Sequence, residues 1–119
     1  MKKCIRNDAK RPNEARDSAF RRAILSIPKG KVATYGAVAA AAGYPLYHRA
    51  VARLLRTAPA NRLPWQRVVG AGGQIKLPSE AGAEQRLRLQ MEGVTFFGKR
   101  VNLSLHEHEF RMWETPDTL

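Results

Sequence analysis

Few side chains in this sequence could do covalent chemistry. Cys4 is the only cysteine, which excludes an internal disulfide and a cysteine-built zinc knot. Nucleophilic catalysis through sulfur needs a thiolate with a base beside it, and Cys4 lies in a charged N-terminal stretch with no such motif around it. His48 falls among arginines. His106 and His108 flank Glu107 in a charged tail, a spacing that reads as a solvated pair rather than a metal site. No Ser, His and Asp set assembles for acyl transfer, and no glycine-rich loop is shaped to cradle phosphate. These absences predict a protein with no catalytic residues, no metal and no cofactor.

Two other groupings stand out. The stretch Leu63-Pro64-Trp65-Gln66-Arg67-Val68-Val69 places a large aromatic at a proline-kinked turn, just before an apolar run. Arg49, Arg53 and Arg56 are spaced i, i+4 and i+7, so a helix carries them on one face. The charge extends the second pattern. Lys and Arg number 21 against 10 Asp and Glu, a formal net charge of +11. No acidic residue occurs between Asp17 and Glu80, where Arg21, Lys31, Arg62 and Lys76 add to the arginines already named. A surface with one sign of charge favours a polyanion, because neutralising phosphates releases counterions. The alternative is a basic surface that is only solvated.

At 119 residues, 44% of them hydrophobic, the chain suits a single domain with a real core. No apolar run reaches the ~18 residues that span a bilayer, and the basic N-terminus has no apolar stretch behind it. A cytoplasmic protein is expected. Residues 1–14 read as a flexible basic arm and 15–119 as the folded domain. Ala19, Phe20, Ala23, Ile24 and Ile27 predict a first helix over 15–26, stopped by Pro28-Lys29-Gly30. Thr34 is an N-cap for a short alanine-rich helix over 35–42 that ends at Gly43. A second helix over 47–57 turns Val51, Leu54 and Leu55 inward and its arginines outward. Two short helices about a glycine turn form a helix-turn-helix pattern. Residues 67–69 and 74–77 read as a hairpin, or wing, about Ala71-Gly72-Gly73. A last helix over 84–92 points Leu87, Met91 and Leu89 inward, with Gly93 as its cap. Val101, Leu103, Leu105, Phe110 and Trp113 dock the tail. The fold class is α/β, mainly α: one domain with a winged helix-turn-helix core.

Four motifs then carry a resemblance. Ile27-Pro28-Lys29-Gly30-Lys31-Val32-Ala33-Thr34-Tyr35-Gly36, Arg49-Ala50-Val51, Pro64-Trp65-Gln66-Arg67-Val68-Val69 and Glu92-Gly93-Val94 resemble, in order and spacing, the C-terminal DNA-binding domain of the O6-alkylguanine-DNA alkyltransferases. In that family the third motif carries Pro-Cys-His-Arg-Val, whose cysteine takes the alkyl group from damaged guanine. Here that position is Trp65, as in the alkyltransferase-like proteins, which bind such lesions without repairing them. Phe110-Arg111-Met112-Trp113 is also similar to their tail. Indole donates a hydrogen bond and does not attack carbon, and Gln66 stands where the activating histidine would be.

The resemblance implies double-stranded DNA containing O6-alkylguanine as the partner, bound through the minor groove by a monomer. The protein would flag the lesion for nucleotide-excision repair. It implies a pocket for the flipped base formed by Tyr35, Pro64, Trp65, Val68 and Ser79. Arg49 would enter the base stack, Thr34, Tyr35, Ala50, Arg53 and Arg56 would contact DNA, and Gln66, Arg67 and Glu92 would support the pocket. Two positions depart from the pattern: Pro78 replaces a pocket tyrosine, and Asn61 lies near the family's loop asparagine but out of register. Plainer roles remain for each residue: Trp65 as core under the wing, Tyr35 as a core tyrosine, Arg49 as a phosphate contact, Arg67 and Glu92 as an ion pair. Two other functions remain as well. One is a DNA-binding regulator or architectural protein with no lesion preference; the other is a residual transferase using Cys4.

Overall fold

The computed structural model describes residues 2–57 and 62–110, with side chains from Glu14 onward. The first helix, α1 (Lys2–Leu25), buries Phe20 and Ile24 completely, and Ile27 follows them inward just past its end. It begins at Lys2, so residues 2–14 are helical where a flexible arm was expected. Lys, Arg, Glu and Ala in this stretch are good helix formers. A helix anchored by its packed end also extends at the gain of one hydrogen bond per residue, save at Pro12, which has no N–H to donate.

Strand β1 (Ala33–Thr34) leads directly into α2 (Tyr35–Ala41). Thr34 caps this helix as its sequence position predicts, its Oγ1 accepting from the Ala37 N–H at 3.1 Å. Gly43, at φ +95°, closes the other end. The Gly43 N–H bonds the Ala40 carbonyl at 3.0 Å and the Tyr44 N–H bonds that of Ala39 at 2.8 Å, the paired bonds of a Schellman turn. That turn sets Tyr44 edge-on to Phe20 at 5.9 Å and starts α3 (His48–Thr57), which packs back across α2. Val51 and Leu54 of α3 join Phe20, Ile24, Ile27, Val38 and Val68 in the main core. Each such side chain contributes about 1.5–3 kcal/mol on burial.

The expected wing takes another form. Val68 and Val69 make β2 (Val68–Val69), which pairs in parallel with β1 rather than with residues 74–77. Both valines are buried, at 1% and 0% exposure, so this strand is covered on both faces, Val68 by the main core and Val69 by a second cluster. The chain then tightens through a 3-10 turn, Ala71–Gly73, with the Gly70 N–H held by the Gln74 carbonyl at 2.7 Å. Gln74 bridges Arg100, part of the short antiparallel pair β3 (Phe96–Phe97) and β4 (Arg100–Val101).

Helix α4 (Ser79–Met91) starts five residues earlier than the periodicity predicts and turns a different face inward. Leu89 is buried, but Leu87 and Met91 are 56% and 78% exposed. The inner line is Gly82, Gln85 and Leu89. A methyl on Gly82 would sit 2.5 Å from the Leu77 carbonyl oxygen, so the helix approaches as closely as it does because this residue is glycine. Gly93 closes α4 as expected, with the Val94 N–H on the Leu89 carbonyl at 2.9 Å. Val94 and Leu89 then form the second core cluster with Val32, Val69 and Val101.

The tail docks as expected at Val101 and Phe110, while Leu105, in α5 (Leu103–His106), is exposed. The histidines do not form a solvated pair. The Thr95 N–H donates to His106 Nε2 at 3.0 Å, which leaves Nδ1 to donate to the Gly30 carbonyl at 3.0 Å. The His108 ring lies edge-on to Phe110 at 4.7 Å. Asn61, Trp113 and the side chain of Cys4 lie outside the described residues.

Candidate nucleic-acid interface and base pocket

Trp65 opens a 3-10 turn, Trp65–Arg67, immediately before β2. Proline at 64 favours the bend, and the Arg67 N–H closes it on the Pro64 carbonyl at 3.0 Å. Two clamps, one from α4 and one from the residue that caps its C-terminus, then fix the turn. Gln85, at 1% exposure, donates through Nε2 to the carbonyls of Gln66 at 3.1 Å and Val68 at 2.9 Å. Glu92 accepts from Gln66 Nε2 at 2.8 Å and from Arg67 Nε and Nη2, each at 3.0 Å. The third arm of Arg67 donates to the Ile27 carbonyl at 2.8 Å and so ties the end of α1 to the same knot. The support expected of Gln66, Arg67 and Glu92 is thus one network, with both partners on the carboxylate at once. Burial pushes the Glu92 carboxyl up. The bonds from Arg67 and Gln66, the Arg67 charge and the Gly30 N–H outweigh it and hold the group below the usual carboxylate range.

The indole held by this turn is half-buried and belongs to neither core cluster. It forms one wall of a cavity of about 140 Å³. Tyr35 comes from α2, Ala52, Leu55 and Arg56 from α3, Leu77 from the segment before α4, and Gln85 from α4. The lining is mainly apolar, with the Arg56 guanidinium at the exposed edge. Burial raises the Tyr35 phenol above its ordinary value and Arg56 draws it back in part, so at neutral pH Tyr35 is a protonated hydroxyl. The Arg88 guanidinium lies 5.4 Å from the indole centroid and is steadied by Glu84 at 2.7 Å. At such an exposed site the cation–ring contact contributes about 0.5–1 kcal/mol.

Of the five residues expected to form the pocket, Tyr35 and Trp65 line it. Val68 does not: its side chain is turned into the main core. Pro64 shapes the turn from outside the lining, and Ser79 is exposed at the start of α4 with φ +46°. In their place stand Ala52, Leu55, Leu77 and Gln85. The first two were legible as the helical face beside Arg56. No local sequence signal marks Gln85, because the inward line of Gly82 and Leu89 is set by packing.

Arg49, Arg53 and Arg56 are all exposed on α3, as their spacing predicts. They fan around its outer side. Arg56 reaches the pocket, whereas Arg53 and Ala50 line a recess of about 110 Å³ against Arg16 and Asp17 of α1. Thr34 is half-buried and occupied as a cap. With Tyr35, His48 and Lys76 it borders an open groove of about 380 Å³ beside the pocket, so Tyr35 faces both. Basic side chains therefore ring a concave, partly apolar site. Among the described residues no group of His, Cys, Asp and Glu is placed to hold a metal ion.

Comparison with known proteins places this geometry. Residues 15–94 match the family described as the DNA-binding domain of 6-O-methylguanine DNA methyltransferase. A DNA base-flipping protein of Vibrio parahaemolyticus is 44% identical over 72 residues, covering 60% of this chain and 72% of the relative. Alkyltransferase-like protein 1 of Schizosaccharomyces pombe is 36% identical over 95 residues, covering 77% and 84%. The crystal structure of S. pombe Atl1 with damaged DNA containing O6-carboxymethylguanine superposes with a TM-score of 0.69 at 30% identity, covering 82% of this chain and 96% of that one.

Proposed function

Because the chain belongs to the family of the 6-O-methylguanine DNA methyltransferase DNA-binding domain, we propose that it recognises alkylated DNA without repairing it. It binds duplex DNA and holds an extruded O6-alkylguanine against Trp65. The observation that carries this reading is the half-buried indole beside a cavity, at the turn where the resemblance puts the reactive cysteine. An indole offers no activated nucleophile, and Gln66, committed to Glu92, is no base. The likeness to a base-flipping protein and to a structure holding O6-carboxymethylguanine DNA supports the same reading.

The energetics fit a sensor. Extruding a base costs a few kcal/mol, and stacking on an aromatic ring returns about 1–3 kcal/mol. An O6-alkyl group adds apolar area to be buried against the lining, which favours the lesion over guanine. At about 140 Å³ the cavity matches one that admits benzene, so a two-ring purine requires its exposed edge at Arg56 to swing out. Arg49, exposed on α3, is free to enter the base stack, and Arg53 and Arg56 meet phosphates across the minor groove. The protein acts as a monomer, is cytoplasmic and joins the nucleoid through DNA. Its persistent complex marks the lesion for nucleotide-excision repair.

The test is equilibrium binding of O6-methylguanine and undamaged duplexes across a range of salt. Sequence-independent phosphate contacts give both the same slope. The lesion shifts its line to tighter binding by about tenfold or more, the worth of one stacked base, and Trp65→Ala removes that offset. Coincident lines for the unmodified protein would leave a DNA-binding protein without lesion preference.

A further inference from the structure

The short hairpin of β3 and β4 lies beyond residues 15–94, the part of the chain that matches the family. Two contacts hold it rigidly. Arg86 of α4 donates through Nη1 to the Gly98 carbonyl at 2.9 Å, and its guanidinium lies 4.2 Å from the Phe96 centroid. Along β4 the hairpin packs on the turn at 71–73. A methyl on Gly73 would sit 2.7 Å from the Val101 carbonyl oxygen, and Gln74 bridges Arg100. The register pairs Phe96 with Val101 and Phe97 with Arg100. Directly opposed residues share a face, so Phe96 and Val101 turn inward, while Phe97, 71% exposed, and Arg100 turn outward. Gly98, at φ +60°, turns the chain and sets the exposed Lys99 at the tip.

This outer face continues the basic ground beside the pocket. The Arg100 guanidinium lies over Gly72, with Nη1 3.5 Å from where a Cβ would stand. The neighbouring Ala71 borders the open groove together with Tyr35, His48 and Lys76. Lys76 lies across Gly70, where a methyl would meet its Cγ and Cε at 2.7 Å. Cations thus run from α3 through Lys76 to Arg100 and Lys99. No acidic residue lines the groove or occurs in residues 94–101. Among the described residues no carboxylate pairs with Lys99 or Arg100.

We infer that this hairpin is the protein's wing: Lys99 and Arg100 hold the phosphate backbone of duplex DNA outside the reach of the helix-turn-helix, on the side of the groove bordered by Ala71. The inference rests on the DNA-binding part of the reading above and is independent of the lesion pocket. A hairpin pinned by Arg86 and by the close approach at Gly73 is already ordered, so its cations meet phosphate at little further cost in conformational freedom. Phosphates carry no information about the base. The hairpin therefore adds affinity to damaged and undamaged duplex alike.

The test measures binding of O6-methylguanine and undamaged duplexes from about 50 to 200 mM salt, with the full chain and with a variant carrying both Lys99→Ala and Arg100→Ala. Each lost phosphate contact lowers the slope of log affinity against log salt by about 0.9. Two lost contacts make the fall in affinity across that range about tenfold smaller, and the ratio between the two duplexes stays as in the unmodified protein. Lys99→Ala alone, at an exposed tip, removes about one unit of slope and decides the matter should the double variant fail to fold. Arg100→Lys keeps the charge and the native slope. An unchanged slope in the double variant and in Lys99→Ala, or a slope lost in Arg100→Lys, would overturn the inference, because the charge at the hairpin would then not be what the DNA meets. A double variant that keeps the slope but loses the ratio between duplexes would overturn it too, since the hairpin would be acting on the base. Failure of the lesion reading looks different: the unmodified protein then gives coincident lines for the two duplexes with its slope intact.

Discussion

Replacing Glu92 by glutamine keeps the shape of the knot behind Trp65 and removes its charge. In the native protein the carboxylate accepts three side-chain bonds: two from Arg67, each 3.0 Å, and one from Gln66 at 2.8 Å. The Arg67 and Glu92 side chains are 17% and 10% exposed. Removing one partner of a fully buried pair costs about 3–5 kcal/mol. Here Arg67 keeps its bond to the Ile27 carbonyl and some water, and a glutamine oxygen still accepts one bond, so the expected cost is about 2–3 kcal/mol. For a domain of this size that lowers Tm by about 6–12 °C at pH 7. The difference must depend on pH. The Glu92 carboxyl is held below its ordinary value of 4.5 in the folded protein. Its stabilisation is therefore fully present above that value and disappears as pH falls through the lower, folded one. Thermal unfolding followed by circular dichroism, at pH 7 and at steps below pH 4.5, reads both effects. A Tm within about 2 °C of the native protein at pH 7, or a gap that stays constant into acid, would refute the reasoning.

Three further outcomes follow from named contacts. Thr34→Ala removes the oxygen that holds the Ala37 N–H and lowers unfolding free energy by about 1 kcal/mol in a urea melt, with the slope unchanged. Gly82→Ala would ordinarily strengthen a helix, but the new methyl meets the Leu77 carbonyl at 2.5 Å. The same melt should show a loss of about 1–3 kcal/mol, and a gain would mean that α4 has room to shift. Arg53→Ala weakens binding to lesion and undamaged duplex alike and reduces the salt slope by about one, as expected for a phosphate contact.

Much of the site-bearing half was legible in the sequence because its signals are local. A threonine before an alanine-rich run marks a cap whatever packs around it, and the glycine at 43 is the residue a Schellman turn favours. Phe20, Ile24 and Ile27 recur at a spacing only one helical face can satisfy. The arginines of α3 share a face for the same reason.

The misread elements depend on partners distant in the chain. Val68 and Val69 look like half of a hairpin until Ala33 and Thr34 arrive beside them in parallel. In α4 the apolar residues Leu87 and Met91 face solvent, while glycine and glutamine face inward. Periodicity of hydrophobic residues cannot show this. The inward line is chosen by a close backbone approach at Gly82 and by two carbonyls that need the Gln85 amide. The cavity's lining follows the same logic: Trp65 and Tyr35 were visible as residue types, but its other walls come from the way α3 and α4 cross the turn.

The central claim is that an extruded alkylated base stacks against Trp65. The chain has two tryptophans, so Trp113→Phe leaves Trp65 as the sole indole reporter. Its fluorescence should change little with saturating undamaged duplex and be strongly quenched by an O6-methylguanine duplex of the same sequence, in proportion to complex formed. An identical response to the two duplexes, with both fully bound, would contradict the account.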